Sequence, residues 1–228
     1  MVNGAIAAQA AIDHHDLRGL VVVGIAGGIG SRMGICDVAV PAQWGQYQEH
    51  VLARETEDGW DVGRRRRGSG FANLGMFFPR PQRLELVRDE KEISEVRFWF
   101  EADSGMLEAA HRGVEGLALE GFAAAGATAG PAPRVVVGGN GVSGPGFVDN
   151  ARYRDWIREA FDADVVDMET AAVAHVAYVN GLPFIAFRSV SDLAGGASGE
   201  NRVRETGPVA AGNAAAAVLA FLEQWALE

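Results

Sequence analysis

From Arg134 onward the chain alternates short apolar runs with segments of helical period, and this alternation restricts it to a sheet with helices packed on its faces. Arg134 to Gly139 (RVVVGG) reads as a strand ending in glycine, Asn150 to Phe161 has helical periodicity, and Asp164 to Asp167 (DVVD) is a short strand. Glu169 to Asn180 is a small-residue helix, with Gly181 as its stop and Pro183 just beyond. Phe184 to Val190 (FIAFRSV) is a buried strand that ends in Ser191 and Asp192, and Val209 to Trp225 is an alanine-rich terminal helix.

The first half is less regular. Helix signals over residues 3 to 16 lead to Gly19, and the apolar run Leu20 to Val23 continues into LVVVGIAGGIG, a strand entering a tight glycine loop. Ile35 to Val40 is a second β-branched run, stopped by Pro41. Gly45 to Gly70 is polar, carries the four-arginine run Arg64 to Arg67, and reads as a surface excursion. Phe71 to Ser94 is broken by Pro79 and Pro81, after which Asp103 is placed to cap a helix through Leu107, Ala110 and His111. No repeat, low-complexity tract or linker divides the chain, so residues 1–228 are expected to form a single domain.

Composition removes several classes of function. With 48% apolar residues among 228, the chain can build a core, yet no run reaches the roughly 18 to 20 apolar residues of a membrane span. A net charge of -10 opposes nucleic acid. Cys36 is the one cysteine, so neither an internal disulfide nor a thiolate metal site is expected. His14 and His15 are adjacent and point about 100° apart on a helix, which is wrong for shared ligation. The N-terminal stretch lacks the basic and apolar regions of a secretory signal, so a cytoplasmic location is expected.

Familiar catalytic templates fail. Counted from Gly28, G-x-G-x-x-G puts Met33 where its third glycine belongs, no G-K-[ST] follows, and Ser143 and Ser198 both miss G-x-S-x-G by one position. What remains is a pair of strand ends, Met168-Glu169 and Ser191-Asp192, which should face one crevice if ligands bind outside the carboxyl ends of the strands. Either acid taken alone has a plainer explanation: Glu169 in the first turn of its helix, Asp192 as a cap or turn acid.

These residues carry a resemblance. Val165 to Gly195 (VVDMETAAVAHVAYVNGLPFIAFRSVSDLAG), with VNGAIAAQAAI and VVVGIAGGIG upstream, resembles the nucleoside phosphorylase and nucleosidase superfamily, in particular its 5'-methylthioadenosine/S-adenosylhomocysteine nucleosidase branch. The resemblance covers most of the chain except roughly residues 50 to 100. It implies a three-layer α/β/α fold with a mixed central sheet and a purine ribonucleoside site, with no cofactor and no metal. Breaking the N-glycosidic bond builds positive charge on the ribose and leaves an anionic purine unless a proton arrives. The family motif then implies Asp192 as the general acid at purine N7, which calls for a raised pKa, with Ser191 orienting it. Glu169 is implied to hold the ribose hydroxyls, with Met168 packing under the sugar, and Arg188 to orient acids or fix the fold. Phe147 and Val148 match the place where the family stacks the base and reads its edge through main-chain groups, with a plain core ring as the alternative for Phe147.

Ile25, Ala26 and Gly27 occupy the glycine-loop positions where phosphorylases of the family commonly place a hydroxyl, and the absence of one here tilts the nucleophile from phosphate to water. The resemblance also implies a homodimer, the partner covering the 5' end of the nucleoside near Phe71 to Phe78. Family members carry strands and a water-activating acid ahead of the helix that opens this sequence. On that basis the domain is expected to be N-terminally truncated, with an unpaired strand edge beside the glycine loop. Three readings stay open: a purine nucleoside hydrolase, a purine nucleoside phosphorylase, and a nucleoside-binding homologue without turnover.

Overall fold

The computed structural model describes residues 1–63, 70–88, 90–122, 131–196 and 201–226. The arginine run Arg64 to Arg67 and Ser198 lie outside the described residues. In chain order the elements are α1 (Val2–His14), β1 (Leu20–Gly28), β2 (Val38–Val40), β3 (Gln43–Gln46), β4 (His50–Leu52), β5 (Arg54–Thr56), β6 (Gly59–Asp61) and β7 (Phe77–Pro79). There follow β8 (Gln82–Arg88), β9 (Lys91–Arg97), β10 (Trp99–Glu101), α2 (Ser104–Gly113), β11 (Val135–Val137), β12 (Asn140–Ser143) and α3 (Ala151–Phe161). The chain closes with β13 (Ala163–Asp167), α4 (Thr170–Val179), β14 (Phe184–Asp192) and α5 (Val203–Trp225).

Eight strands form one mixed sheet in the order β10-β3-β12-β13-β1-β14-β2-β11. Strand period divides its residues between two faces. Phe184 and Ala186 join Ala171, Ala174 and Ala177 of α4 in one core, while Ile185 and Phe187 point the other way onto Met106 and Ala109 of α2 and Ala217 and Phe221 of α5. Three layers result, with α1 packed outside α4. A third cluster, built on Tyr47, Val142, Trp156 and Phe161, seats α3. Asp103 caps α2 as its position suggested, its carboxylate accepting from Met106 N at 2.9 Å, and Asn150 caps α3 through Tyr153 N at 2.9 Å.

Several expectations are corrected. The glycines after Val23 do not form a loop, because β1 runs on through Gly28. They are needed for room: a Cβ at Gly24 would collide with the Arg188 guanidinium, and one at Gly28 would lie 2.9 Å from Val190. The polar stretch from Gly45 begins inside β3, whose neighbours Trp44 and Tyr47 are fully buried. Phe71 to Ser94 holds β7, β8 and part of β9, with alternate residues Leu84 and Leu86 packed into the α4 core. Ile35 to Val40 shortens to β2 because Cys36 takes a positive φ of 69°. After β11, Gly138 and Gly139 turn the chain at φ 94° and 81°, so β12 enters the sheet between β3 and β13, well away from β11. The last helix starts at Val203, six residues earlier than its composition suggested, with Pro208 inside it.

The two strands carrying Glu169 and Asp192 are not neighbours. β1 lies between them, parallel to β14 and antiparallel to β13. β13 pairs with β1 only at Gly27 and Gly28, so Leu20 to Ala26 have a strand partner on the β14 side alone, and Val23 is 49% exposed in the middle of the sheet.

Candidate active site

A cavity of about 200 Å³ opens where β13 and β1 meet and β14 ends. The crevice forms although the two end strands run in opposite senses, because β13 stops beside the far half of β1, level with the end of β14. Nine of the residues singled out from the sequence line it together: Ile25, Ala26, Gly27, Phe147, Val148, Met168, Glu169, Ser191 and Asp192.

Asp192 is buried, and its placement follows from a register shift. Ala26 pairs with Val190 but Gly27 with Asp192, so Ser191 is the extra residue of a bulge that re-aims the end of β14. The Asp192 carboxylate accepts from Ser191 Oγ at 3.0 Å and from Ala194 N at 2.8 Å. Ala194 supplies that N–H from a left-handed conformation, φ 50°, unusual for a residue with a side chain. Thr206 of α5 donates its hydroxyl to Ser191 O and so ties the bulge to the helix layer. Gly27 sits in tight quarters beside it, since a Cβ there would lie 3.2 Å from Ala194 Cβ and 3.3 Å from Val166 Cγ1.

Glu169 stands at the N-cap of α4 but makes no side-chain capping bond, and its side chain is 48% exposed. Its place at the helix start is compatible with the plainer first-turn role, and its partly exposed carboxylate, 3.9 Å from Arg188 Nη2, also borders the cavity. The first turn of α1 lies against it, a Cβ at Gly4 falling 3.4 Å from Glu169 Cβ, and the partial positive charge of that helix end favours an anion there. Phe147 is 57% exposed at the cavity wall, which removes the core-ring alternative and leaves a ring face for a planar group. Val148 is buried behind it.

Arg188 does not line the cavity but sits behind it. Its Nε is 2.8 Å from Asp167 Oδ2 and donates to Thr170 Oγ1 at 2.9 Å, while Nη2 lies 3.9 Å from Glu169 Oε2. Nη1 reaches Ile25 O at 3.5 Å. Arg188 thus lies between two carboxylates, in close contact with the buried Asp167 and at longer range from the half-exposed Glu169.

The sequence reading missed Asp167. It is buried, lines the cavity, and is the hub of a network: Ser143 Oγ and Thr170 Oγ1 both donate to it, as do the main-chain amides of Glu169 at 3.3 Å and Thr170 at 3.2 Å. Ser143, dismissed as a nucleophile, is thus a positioning group whose Oγ also accepts from Ala171 N at 2.8 Å. One signal was available: an arginine in the middle of an all-buried strand requires a buried counter-charge. Gly146, Val166 and Val203 also line the cavity, and of these Val166 reads from the sequence only as part of the DVVD strand. Among the described residues no three His, Cys, Asp or Glu side chains are grouped to hold a metal ion. No helix among them is long and apolar enough to cross a membrane.

A bulged strand end bearing a buried acid, a second carboxylate across one small cavity and an exposed aromatic ring make this a candidate small-ligand site of an α/β protein. The chain belongs to the phosphorylase superfamily, which it matches over residues 1–223. It is 33% identical over 196 residues to the 5'-methylthioadenosine/S-adenosylhomocysteine nucleosidase of Treponema pallidum, an alignment covering 85% of this chain and 63% of that one. The chain therefore spans under two thirds of that relative's length. Among solved structures, the fold is similar to the corresponding nucleosidase of Colwellia psychrerythraea in complex with adenine, with TM-score 0.67 and 22% identity over 98% of this chain and 74% of that one. It is also similar to that of Neisseria meningitidis in complex with methylthio-immucillin-A, with TM-score 0.66 and 23% identity over 97% and 76% of the two chains.

Proposed function

We propose that the cavity binds a purine ribonucleoside and that the protein hydrolyses its N-glycosidic bond, with 5'-methylthioadenosine or S-adenosylhomocysteine as substrate. The observation that carries this reading is the convergence of Asp192, Glu169 and the exposed ring of Phe147 on one cavity. The base stacks on Phe147, and Asp192 gives a proton to purine N7 as the bond to the sugar breaks, so the departing base leaves neutral. Glu169 accepts from the ribose hydroxyls, and its charge opposes the positive charge that develops on the sugar. Met168 forms the apolar floor under that sugar. Arg188 holds Asp167 and Glu169 apart at fixed spacing, so Glu169 is pre-organised before substrate arrives. Ile25 and Ala26 present no hydroxyl to a phosphate, which supports water as the nucleophile.

A second reading is binding without turnover. It is favoured by the engagement of Asp167, whose oxygens are taken by Ser143, Thr170 and Arg188, which leaves Glu169 to serve both ribose and water. A homodimer in the cytoplasm belongs to the same proposal, with the exposed Met76 and Phe77, beside Asn150 and Tyr153, as the face offered to the second copy. The test is release of free base from 5'-methylthioadenosine by the purified chain, with and without phosphate, beside Asp192→Asn. Phosphate-independent release that falls at least 100-fold in the variant, in line with the usual worth of a general acid of roughly 10²- to 10⁴-fold, supports the hydrolase. A phosphate requirement would replace it with a phosphorylase, and a bound but unbroken nucleoside with the binding protein.

A further inference from the structure

We propose that Arg154 of α3 is a positioning residue that clamps the loop bearing Asp192 to the loop bearing Phe147, so that stacking and proton delivery act on the base at one fixed separation. Arg154 belongs to neither loop and does not line the cavity. Its Nη1 donates to Leu193 O at 3.4 Å, directly after Asp192, and its Nη2 donates to Asp155 Oδ1 at 3.2 Å. The guanidinium fills the place a side chain at residue 196 would take, since a Cβ on Gly196 would overlap Nη1. One residue earlier, Gly195 takes φ 83°, and a Cβ there would overlap the main chain at Asp149 and Asn150, the end of the Phe147 loop. The two loops therefore touch backbone to backbone at Gly195, with Arg154 holding the contact from the α3 side.

The geometry reaches Asp192 through two short steps. Leu193 O accepts from Gly196 N at 2.8 Å and, at longer range, from Arg154 Nη1 at 3.4 Å, and Ala194, next in line, has a left-handed conformation with its N–H on Asp192 Oδ1 at 2.8 Å. Ala194 is fully buried against Val148 and Val166, so the same residue that orients the acid also packs on the base loop. From the other end, Asn150 caps α3, and the ordinary first-turn bond from Arg154 N to Asn150 O at 2.9 Å places Arg154 one helical turn beyond the end of the Phe147 loop. The clamp has a cost. Among the described residues Arg154 Nε is buried with no hydrogen-bond partner, an arrangement that disfavours the fold and calls for a reason other than stability.

The inference rests on the proposed reading of the site for its kinetic consequence and on the loop contact alone for its structural one, and the experiment separates them. Arg154→Met removes the clamp, Arg154→Lys keeps a donor for Leu193 O, and Gly196→Ala expels the guanidinium while leaving Arg154 in place. In the ligand-free protein, amide hydrogen exchange over Leu193 to Gly196 and Phe147 to Asn150 rises about tenfold or more in Arg154→Met and Gly196→Ala, with Arg154→Lys between them and the wild type. Unchanged exchange in both loops overturns the clamp whatever the protein's activity.

Kinetically, Arg154→Met lowers kcat on 5'-methylthioadenosine by roughly 10- to 100-fold, the usual cost of misplacing a reacting group by about an ångström. On a 5-methylthio-riboside of p-nitrophenol, whose leaving group departs without a proton, the loss in kcat stays under about threefold, because bond cleavage there draws no proton from Asp192. Gly196→Ala behaves alike, and the double variant is no worse than either single one. Equal losses on both substrates, or additive ones, reduce Arg154 to a merely structural residue. Wild-type protein that turns over neither substrate refutes the nucleosidase reading. Adenine affinity by calorimetry then carries the result, with a weakening of at least fivefold in Arg154→Met expected and an unchanged value fatal to the proposal.

Discussion

Asp167→Asn tests whether the cavity is held together from behind. The substitution keeps the shape of the side chain but removes the counter-charge of Arg188, with the two side chains only 2% and 8% exposed and 2.8 Å apart. Breaking a buried pair by neutralising one partner costs about 3–5 kcal/mol, because the remaining charge stays desolvated and unpaired. Arg188 keeps its bond to Thr170 Oγ1 and the half-exposed Glu169 carboxylate 3.9 Å from Nη2, which soften but do not replace the lost buried charge. For a chain of this size about 2–4 °C is lost per kcal/mol, so Tm falls by roughly 6–20 °C, read by far-UV circular dichroism. Replacing both partners, Asp167→Asn with Arg188→Met, removes the stranded charge, and its Tm lies above that of the single variant. A single-variant loss below about 3 °C, or a double variant less stable than the single, would show that the pair does not organise this wall of the cavity.

Phe147→Ala leaves Tm unchanged within about 1 °C, because the ring is exposed, but raises the Kd for adenine roughly 5- to 150-fold, the equivalent of one lost stacking contact at about 1–3 kcal/mol; calorimetry and a thermal melt decide it. Burial holds the His175 imidazole, stacked on Phe100 at 4.5 Å, and the His50 imidazole below their ordinary pKa. The unfolded chain then binds more protons as pH drops through about 6.5, so stability is full above that pH and declines below it, and His175→Gln flattens the decline in urea melts at pH 5 and 7.5. The exposed, one-sided edge of β1 makes the chain prone to self-association, and Val23→Lys shifts sedimentation velocity profiles toward the smallest species; an unchanged distribution would clear this edge.

The local physics of the chain made much of this legible. Alternation of apolar strands with helical segments, Asp103 and Asn150 at helix starts, and Gly181 at a helix end are settled within a few residues, and they gave the layered fold from Arg134 onward. The two acids, the aromatic ring and the apolar start of β1 were also readable, because each belongs to a contiguous motif, whereas the glycines after Val23 read as a loop and are strand. What the residue pattern could not carry is anything set by contacts distant in the chain. β3 was hidden because Trp44 is buried in the core under α4 and Tyr47 against α3, rather than by a local pattern of their own, and the order of β13, β1 and β14 is fixed by packing across the sheet. Asp167 looked like an ordinary strand acid until the fold set Arg188 beside it, and Arg154 like a surface helix residue until the loop after Asp192 closed over it. The sequence by itself determined which chemistry the chain can bring to a site, since carboxylates, a ring and glycines are local properties. Only the tertiary structure decided which of those groups meet, because the burial that pairs charges and aligns loops arises from residues far apart in the chain.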